Sequence, residues 1–175
     1  MIFWILQINL NKHYGEKYIL PKCRERKCVL KDVSQKNYLI IDGDEFKETP
    51  SEKSVDCIIV DLIPNSDGEY RVILCELTSG SKLLSDTQAK FKSSGKLIID
   101  ALNDIEVSIC KIDCLLLGKI KRNGKNIASK AFTPSLRIDG FKRPVHIQNE
   151  NCGFSIKDIY GDVICNWIQI LLNLN

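Results

Sequence analysis

The sequence lacks most of the short motifs that identify common enzyme classes. It has no Walker loop for nucleotide phosphates, no GxGxxG fingerprint, no GxSxG nucleophile elbow and no HExxH zinc motif. Its two histidines, His13 and His146, lie far apart in the chain, so no histidine is specified as the base for a nucleophilic cysteine. The enzyme classes built on those motifs are therefore not indicated.

The sequence predicts neither a leader nor a membrane-spanning run. The apolar residues 1–10 have no basic segment before them and no small-residue cleavage site after them, and they are fewer than the roughly 20 residues of a spanning helix. Residues 164–174 are apolar but carry polar residues at the spacing of an amphipathic helix. We therefore expect a cytoplasmic protein with no membrane partner.

Low-complexity sequence and internal repeats are absent, and neither sign of charge dominates. The 175 residues, with 44% hydrophobic and 27% charged side chains, suit a single domain over residues 1–175. The net charge of +3, from 25 basic and 22 acidic residues, permits a nucleic-acid partner without requiring one. Residues 119–130 contain no carboxylate, and with the nearby Arg137, Lys142 and Arg143 they could contact phosphates, although lysines also keep ordinary loops solvated.

Eight cysteines are present, and their surroundings differ. Four lie within apolar runs, where cysteine is most simply a small buried hydrophobe: Cys57, Cys75, Cys110 and Cys114. Cys23 and Cys28 stand in a polar, basic segment instead. They could supply two zinc ligands, but no partner CxxC or CxxH follows, so an ordinary surface turn is the favoured interpretation and zinc the less favoured one.

The central segment predicts a β-hairpin. Residues 38–42 form a first candidate strand, and a polar connection over residues 48–54 follows. Residues 55–63 and 69–78 are then two β-branched, apolar runs, joined by a Pro-Asn-Ser-Asp-Gly sequence at residues 64–68 that suits a tight reversal. The two runs should pair as antiparallel strands.

A helix should follow the hairpin. Ser85 and Gln88 have the spacing of a capping box, and apolar or small residues then recur at steps of three and four along one face: Leu84, Gln88, Phe91, Gly95, Ile98 and Leu102. Residues 107–120 predict a further strand. Another is expected within residues 145–156, around Gly153, and a closing helix within residues 158–174.

Two carboxylates should meet at the open end of the hairpin. If the turn centres on Ser66 and Asp67, counting outward along both strands places Asp56 opposite Leu77 and diagonal to Glu76. A partly buried acidic pair is costly unless a cation lies between the two groups, and a divalent ion with oxygen ligands is the usual solution. Mg²⁺ or Mn²⁺ is the natural candidate.

This arrangement resembles the PD-(D/E)XK nuclease superfamily. The resemblance covers residues 50–120, with Asp56 opening one strand, Glu76 near the end of the next and Gln88 in the following helix. It implies a restriction-endonuclease-like α/β core, a central mixed β-sheet flanked by helices in the order αβββαβ. It also implies that Asp56, Glu76 and the main-chain carbonyl of Leu77 bind the metal, which activates water for hydrolysis of phosphodiester bonds in DNA or RNA.

One position departs from the family pattern. Thr78 stands where the family has a lysine, so a positive charge must come from elsewhere, and Lys82 and Lys90 are the candidates. Lys90 lies two residues after Gln88, about 200° round the helix, and is expected to face away from it. The predicted catalytic set is therefore Asp56, Glu76, Lys82 and Gln88.

Three alternatives remain open. A catalytically inactive relative could use the same fold to bind nucleic acid or a partner protein, as Thr78 suggests. Glu76 could simply be paired with a lysine, and Gln88 could act only in the capping box. Some relatives carry an iron–sulfur cluster on cysteines that flank the core, as do Cys23, Cys28, Cys152 and Cys165, but their tight carboxy-terminal cysteine spacing is absent here. A homodimer is possible by analogy.

Overall fold

A computed structural model describes residues 19–25, 28–31, 33, 37–47, 49–122, 125–126, 135–138 and 141–148. Ten elements follow one another in these ranges: β1 (Arg24–Glu25), β2 (Cys28–Val29), β3 (Tyr38–Asp42), β4 (Cys57–Asp61), β5 (Tyr70–Leu83), α1 (Leu84–Asn103), β6 (Ile109–Arg122), β7 (Lys125–Asn126), β8 (Ser135–Ile138) and β9 (Phe141–Gln148). The predicted helix at residues 158–174 lies outside the described residues.

The strands form a mixed sheet in the order β3-β4-β5-β6-β9-β8, with β7 beside β6 and β1 paired with β2 separately. Strands β3, β4 and β5 pair antiparallel, whereas β5, β6 and β9 run parallel. Helix α1 connects β5 to its parallel neighbour β6, as parallel pairing requires a crossover. The predicted α/β class with a mixed sheet is therefore confirmed.

Apolar side chains cover both faces of the central strands. All five residues of β4 are buried, which its run Cys-Ile-Ile-Val-Asp predicts for an interior strand. Alternate residues of β4, β5 and β6 contribute to two separate clusters, and only the cluster on one face includes residues of α1, among them Phe91, Ile98 and Leu102. The sheet thus has a helix-covered face and an opposite face.

Helix α1 buries the predicted side but begins differently. Phe91, Gly95, Ile98 and Leu102 are buried, as their spacing predicts. The predicted cap at Ser85 is wrong: the helix begins at Leu84, and the Leu83 N-cap position has no side-chain cap. The reason is that β5 continues to Leu83 by pairing with β6, so the chain passes directly from strand into helix.

The later strands also differ from the sequence-based bounds. Strand β6 is close to the predicted residues 107–120. Strand β9 begins at Phe141, where it pairs with β8, and thus starts four residues before the predicted residues 145–156. It shares residues 145–148 with that prediction. Gly153 and its neighbours lie outside the described residues. No helix among the described residues combines the length and hydropathy needed to cross a bilayer.

The cysteines correct two predictions. Cys23 is fully buried and forms a disulfide with Cys57, so Cys23 is not in an ordinary surface turn and Cys57 is more than a small hydrophobe. Cys110 is exposed, and it lies at the register shift where Tyr70 pairs with Ile109 and Arg71 pairs with Lys111. Cys75 and Cys114 are buried, as predicted.

Candidate functional site

The hairpin of β4 and β5 brings two carboxylates to one end of one face. The pairs run from Val60 opposite Val72 to Cys57 opposite Cys75. Continuing this register by one pair places Asp56 opposite Glu76, and directly opposed residues point to the same face of a sheet. That face is the helix-covered one. Glu76 lies two residues after Leu74 on β5 and points to the same face, and Leu74 packs in the cluster that includes residues of α1.

The predicted register, with Asp56 opposite Leu77, is therefore wrong by one residue. The turn does not centre on Ser66 and Asp67, because the Asn65 amide donates to the Glu69 carbonyl at 2.9 Å. The Asn65 side chain also accepts from the Glu69 amide at 2.8 Å. Just after β4 ends, the Ile63 amide donates to Oδ1 of Asp61, the last residue of the strand, at 3.0 Å. These local hydrogen bonds accompany a pairing of β4 with β5 that is offset by one residue from the predicted register.

Asp56 is held by main-chain groups on both sides. Its Oδ2 accepts the Leu77 amide of β5 at 2.5 Å, and its carbonyl accepts the Gly43 amide at 3.3 Å. The preceding Val55 amide donates to Ser94 Oγ on α1 at 3.0 Å. The half-buried carboxylate is thus fixed at the entry to β4, between the end of β3, strand β5 and helix α1.

Glu76 is completely buried and is paired with a lysine from the helix. Lys90 Nζ donates to Glu76 Oε1 at 2.9 Å and to Oε2 at 3.1 Å, and the lysine side chain is 22% exposed. A carboxylate without exposure needs such a partner, because an uncompensated buried charge is strongly unfavourable. The alternative that Glu76 is paired with a lysine is confirmed, and that lysine is Lys90.

Lys90 was expected to face away from the site, and the structure corrects this. The prediction took Gln88 as the centre of the buried side of α1, but that side is centred on Thr87, Phe91 and Ser94. Lys90 lies three residues after Thr87 and therefore on the same side of the helix. Its long side chain can reach the sheet from the edge of that buried centre.

The other predicted site residues are distributed as follows. Gln88 lies half-buried in the second turn of α1. The backbone of Lys82 pairs with Ile120 of β6, while the side chains of Thr78 and Lys82 lie outside the described part of the structure. Leu77 is buried, and its main chain contacts Asp56 through the hydrogen bond from its amide to Oδ2.

Asp44 is an acidic residue near the site that the sequence argument missed. Its Oδ1 accepts Ser54 Oγ at 2.6 Å and Lys47 Nζ at 3.3 Å. The Ser54 hydrogen bond lowers the pKa of Asp44, and the charges of Lys47 and Lys90 add to the shift. Lys90 therefore acts electrostatically on Asp44 as well as on Glu76. The Asp-Gly-Asp turn at residues 42–44 was the available signal.

Gly43 allows this turn to lie against the entry to β4. A Cβ atom at Gly43 would be 1.9 Å from the Val55 carbonyl oxygen, so only glycine permits the observed backbone approach. The Gly43 amide donates to the carbonyl of Asp56 in the same contact. Asp44 and Asp56 are thereby carried on two segments that touch.

A cleft of about 280 Å³ opens beside Asp56. Its lining combines carboxylates with basic and apolar residues: Leu20, Pro21, Lys22, Arg24, Asp42, Asp44 and Asp56. On β5, burial raises the pKa of the Cys75 thiol well above its usual value, and the charges of Asp56 and Glu76 raise it further. Cys75 is thus an unreactive thiol, whereas Asp56 is open to the cleft.

The carboxylates are chemically suited to a hard divalent cation. Among the residues that the structure describes, no group of three or more His, Cys, Asp or Glu side chains could hold a metal ion. Mg²⁺, however, is commonly bound through one or two carboxylates with water and substrate phosphate completing its ligands. Asp56, Glu76 and the Leu77 carbonyl are of that kind. Cys23 offers no thiolate to zinc or an iron–sulfur cluster while it is joined to Cys57.

Comparison with known proteins gives no relative from which a function could be transferred: no family model, no curated protein and no solved structure matches the chain.

Proposed function

We propose that this protein is a metal-dependent nuclease of the PD-(D/E)XK type that hydrolyses phosphodiester bonds in DNA or RNA. The observation that carries the proposal is the placement of Asp56 and Glu76 on one face of the hairpin, with the Lys90 ammonium on Glu76. Two carboxylates and one cation are the charged groups that the family motif requires. In this proposal the cation is Lys90 on α1, because position 78 holds a threonine.

The order of the elements supports the proposal. Three antiparallel strands, β3 to β5, are followed by α1 and by β6, which returns parallel to β5. This is the βββαβ part of the αβββαβ core that the resemblance implies. The first helix of that pattern is not among the described residues. The restriction-endonuclease-like core therefore remains part of the proposal.

Each residue has a distinct role in the proposed site. Asp56, Glu76 and the Leu77 carbonyl would hold Mg²⁺ or Mn²⁺, which supplies an activated water and charge stabilisation at the phosphate. The Leu77 amide orients Asp56 through its hydrogen bond to Oδ2. Lys90 neutralises Glu76 and reduces the repulsion that a phosphate meets on approaching the carboxylates. Lys90 thus takes the role of the cation that was predicted for Lys82, and Gln88 stays in the proposed catalytic set.

A second candidate function is a nuclease-shaped protein without catalysis, which binds nucleic acid or a partner protein. The observation in its favour is that the charge of Glu76 is already compensated inside the chain, by two hydrogen bonds from Lys90. An internal ion pair of this kind stabilises a fold without any metal ion. Metal-dependent cleavage separates the two candidates.

Location and assembly are also proposals. We propose a cytoplasmic location, as the sequence predicts. The Cys23–Cys57 disulfide favours an oxidising compartment instead, where such bonds persist. A non-reducing peptide map of protein taken from cells decides between the two: an intact Cys23–Cys57 peptide contradicts a reducing cytoplasm. A homodimer is proposed by analogy alone.

The test is a cleavage assay with single-stranded and duplex DNA and RNA, each in Mg²⁺, in Mn²⁺ and in EDTA. We expect metal-dependent cleavage by the wild type and a loss of about 100-fold or more in Asp56→Asn, because that change removes charge at the metal but keeps an oxygen for the Leu77 amide. The exposed Asp100→Asn, on α1, is the matched control and should cleave like the wild type. Cleavage that Asp56→Asn retains would count against the proposal.

A further inference from the structure

The cleft beside Asp56 is lined by side chains of both charges. Lys22, just before β1, and Arg24, the first residue of β1, are exposed and line the same cleft as Asp44 and Asp56; we call these two cations the basic wall. Among the ion pairs of the described residues, none involves Lys22 or Arg24. Both cations therefore stand at the cleft without a carboxylate bonded to them in the described part of the chain.

The segment that carries Lys22 is attached to the sheet at both of its ends, and Arg24 directly follows the second attachment. At one end, Ile19 bridges Ile41 and the Leu20 amide donates to the Ile40 carbonyl at 2.9 Å, both on β3. At the other end, Cys23 is joined by its disulfide to Cys57, the residue next to Asp56. The Pro21–Lys22 bend lies between these two attachments. Lys22 is thus carried on a short segment anchored beside the carboxylates.

This charge pattern suits one kind of ligand. Carboxylates attract a cation, whereas the arginine and the lysine of the basic wall attract phosphate oxygens, which guanidinium groups bind through paired hydrogen bonds. A nucleic-acid strand carries a phosphate at each nucleotide, so one phosphate can lie at the carboxylates while a neighbouring one lies at the basic wall.

We infer that Lys22 and Arg24 bind the backbone phosphate of a nucleic-acid strand next to the phosphate at Asp56, and that the Cys23–Cys57 disulfide holds this wall in its binding position. The identity of the ligand rests on the proposed function. The binding itself does not require catalysis, because it depends on the positions and charges of the two side chains.

The test measures binding of a fluorescein-labelled single-stranded DNA by anisotropy, in EDTA and over a series of salt concentrations. The double variant Lys22→Gln, Arg24→Gln should lose about tenfold or more in affinity at low salt. Its slope of log K against log salt should fall by about 1.4, since each phosphate contact on a single strand contributes about 0.7. The double variant Lys92→Gln, Lys96→Gln is the matched control, because it removes two exposed charges from another groove.

The control should keep the wild-type slope. Equal losses in both double variants, no loss in the first, or no binding by the wild type would each overturn the inference. Because EDTA prevents metal-dependent cleavage, a negative cleavage assay with a positive result here removes the proposed reaction and leaves the phosphate-binding wall. Cleavage by the wild type, together with unchanged binding by Lys22→Gln, Arg24→Gln, keeps the proposed reaction and removes the phosphate-binding role of the basic wall.

The role of the disulfide has its own arm. A dithiol reductant transfers two electrons and two protons to Cys23 and Cys57 and itself becomes a disulfide. Wild-type affinity should then fall toward that of Lys22→Gln, Arg24→Gln, while the affinity of that double variant should not change. Circular dichroism checks that the reduced protein stays folded. An unchanged affinity of the reduced, folded wild type would show that the disulfide does not hold the wall.

Discussion

Single residues carry most of the chemistry at this site, and Lys90 links them. Its ammonium is bonded to both oxygens of the buried Glu76, and its charge acts on Asp44. The sequence motif alone assigned its role to Lys82, because it treated Gln88 as the centre of the helix face. Thr87 is also buried, which no periodicity of apolar residues could indicate, and it extends the buried side of α1 toward Lys90.

Removing the Lys90 charge should destabilise the fold. In Lys90→Met, Glu76 stays buried without its cation, and we expect a loss of about 3 kcal/mol in the free energy of unfolding. The double variant Glu76→Gln, Lys90→Met removes both charges and should recover part of that loss. Urea unfolding of the wild type and the three variants, including Glu76→Gln alone, measures the coupling. A Lys90→Met protein as stable as the wild type would contradict the structural role of the pair.

The Asp44–Ser54 hydrogen bond should make stability depend on pH. Because the pKa of Asp44 in the folded protein lies below the ordinary value of 3.8, its stabilising effect is present above 3.8 and is lost as the pH falls through the lowered pKa. Ser54→Ala should therefore be less stable than the wild type at neutral pH. The difference should narrow in acid.

Urea unfolding of both proteins at neutral pH and below the Asp44 pKa checks this expectation. Carbon NMR of the Asp44 carboxyl should show its pKa rising in Ser54→Ala, since the largest cause of the lowered value is removed. A stability difference that stays constant over the whole pH range would assign the effect of Ser54 to packing instead.

At the scale of elements, strand and helix identities could be predicted but their relative positions could not. The β-branched runs at residues 55–63 and 69–78 predict the hairpin, and the spacing of Phe91, Ile98 and Leu102 predicts the buried side of the helix. The register depends on hydrogen bonds made by the Asn65 and Asp61 side chains, which composition does not specify. A change of one residue brings Asp56 opposite Glu76 instead of Leu77.

The contact of the β3–β4 turn with the entry to β4 should be intolerant of any side chain at Gly43. In Gly43→Ala, the added Cβ would meet the Val55 carbonyl oxygen, a main-chain atom that cannot rotate away, and we expect a loss of about 3 kcal/mol. Gly68→Ala is the control, because its positive φ of 78° costs only about 1 kcal/mol and no atom lies near its Cβ. Thermal or urea unfolding compares the two; equal losses would mean that the contact at Gly43 is not restrictive.

At the scale of the whole molecule, the disulfide connects the N-terminal part of the described chain to the candidate site. Cys23 and Cys57 are 34 residues apart, and closing a loop of that length contributes about 4 kcal/mol through the unfolded state. The sequence alone does not predict the bond, because Cys23 lies in a polar segment and Cys57 in an apolar strand. The pairing of Ile19 and Leu20 with β3 and the burial of Cys23 in the cluster that contains Cys57 bring the two cysteines together.

The proposal that Asp56 and Glu76 bind a divalent cation at one end of the hairpin is tested by calorimetric titration with Mn²⁺ and Mg²⁺, which does not need the correct nucleic acid. The proteins compared are the wild type, Asp56→Asn and the exposed control Asp100→Asn. We expect binding by the wild type and by Asp100→Asn, and a loss of at least tenfold in affinity in Asp56→Asn. No binding by the wild type, or equal binding by all three proteins, would contradict the claim.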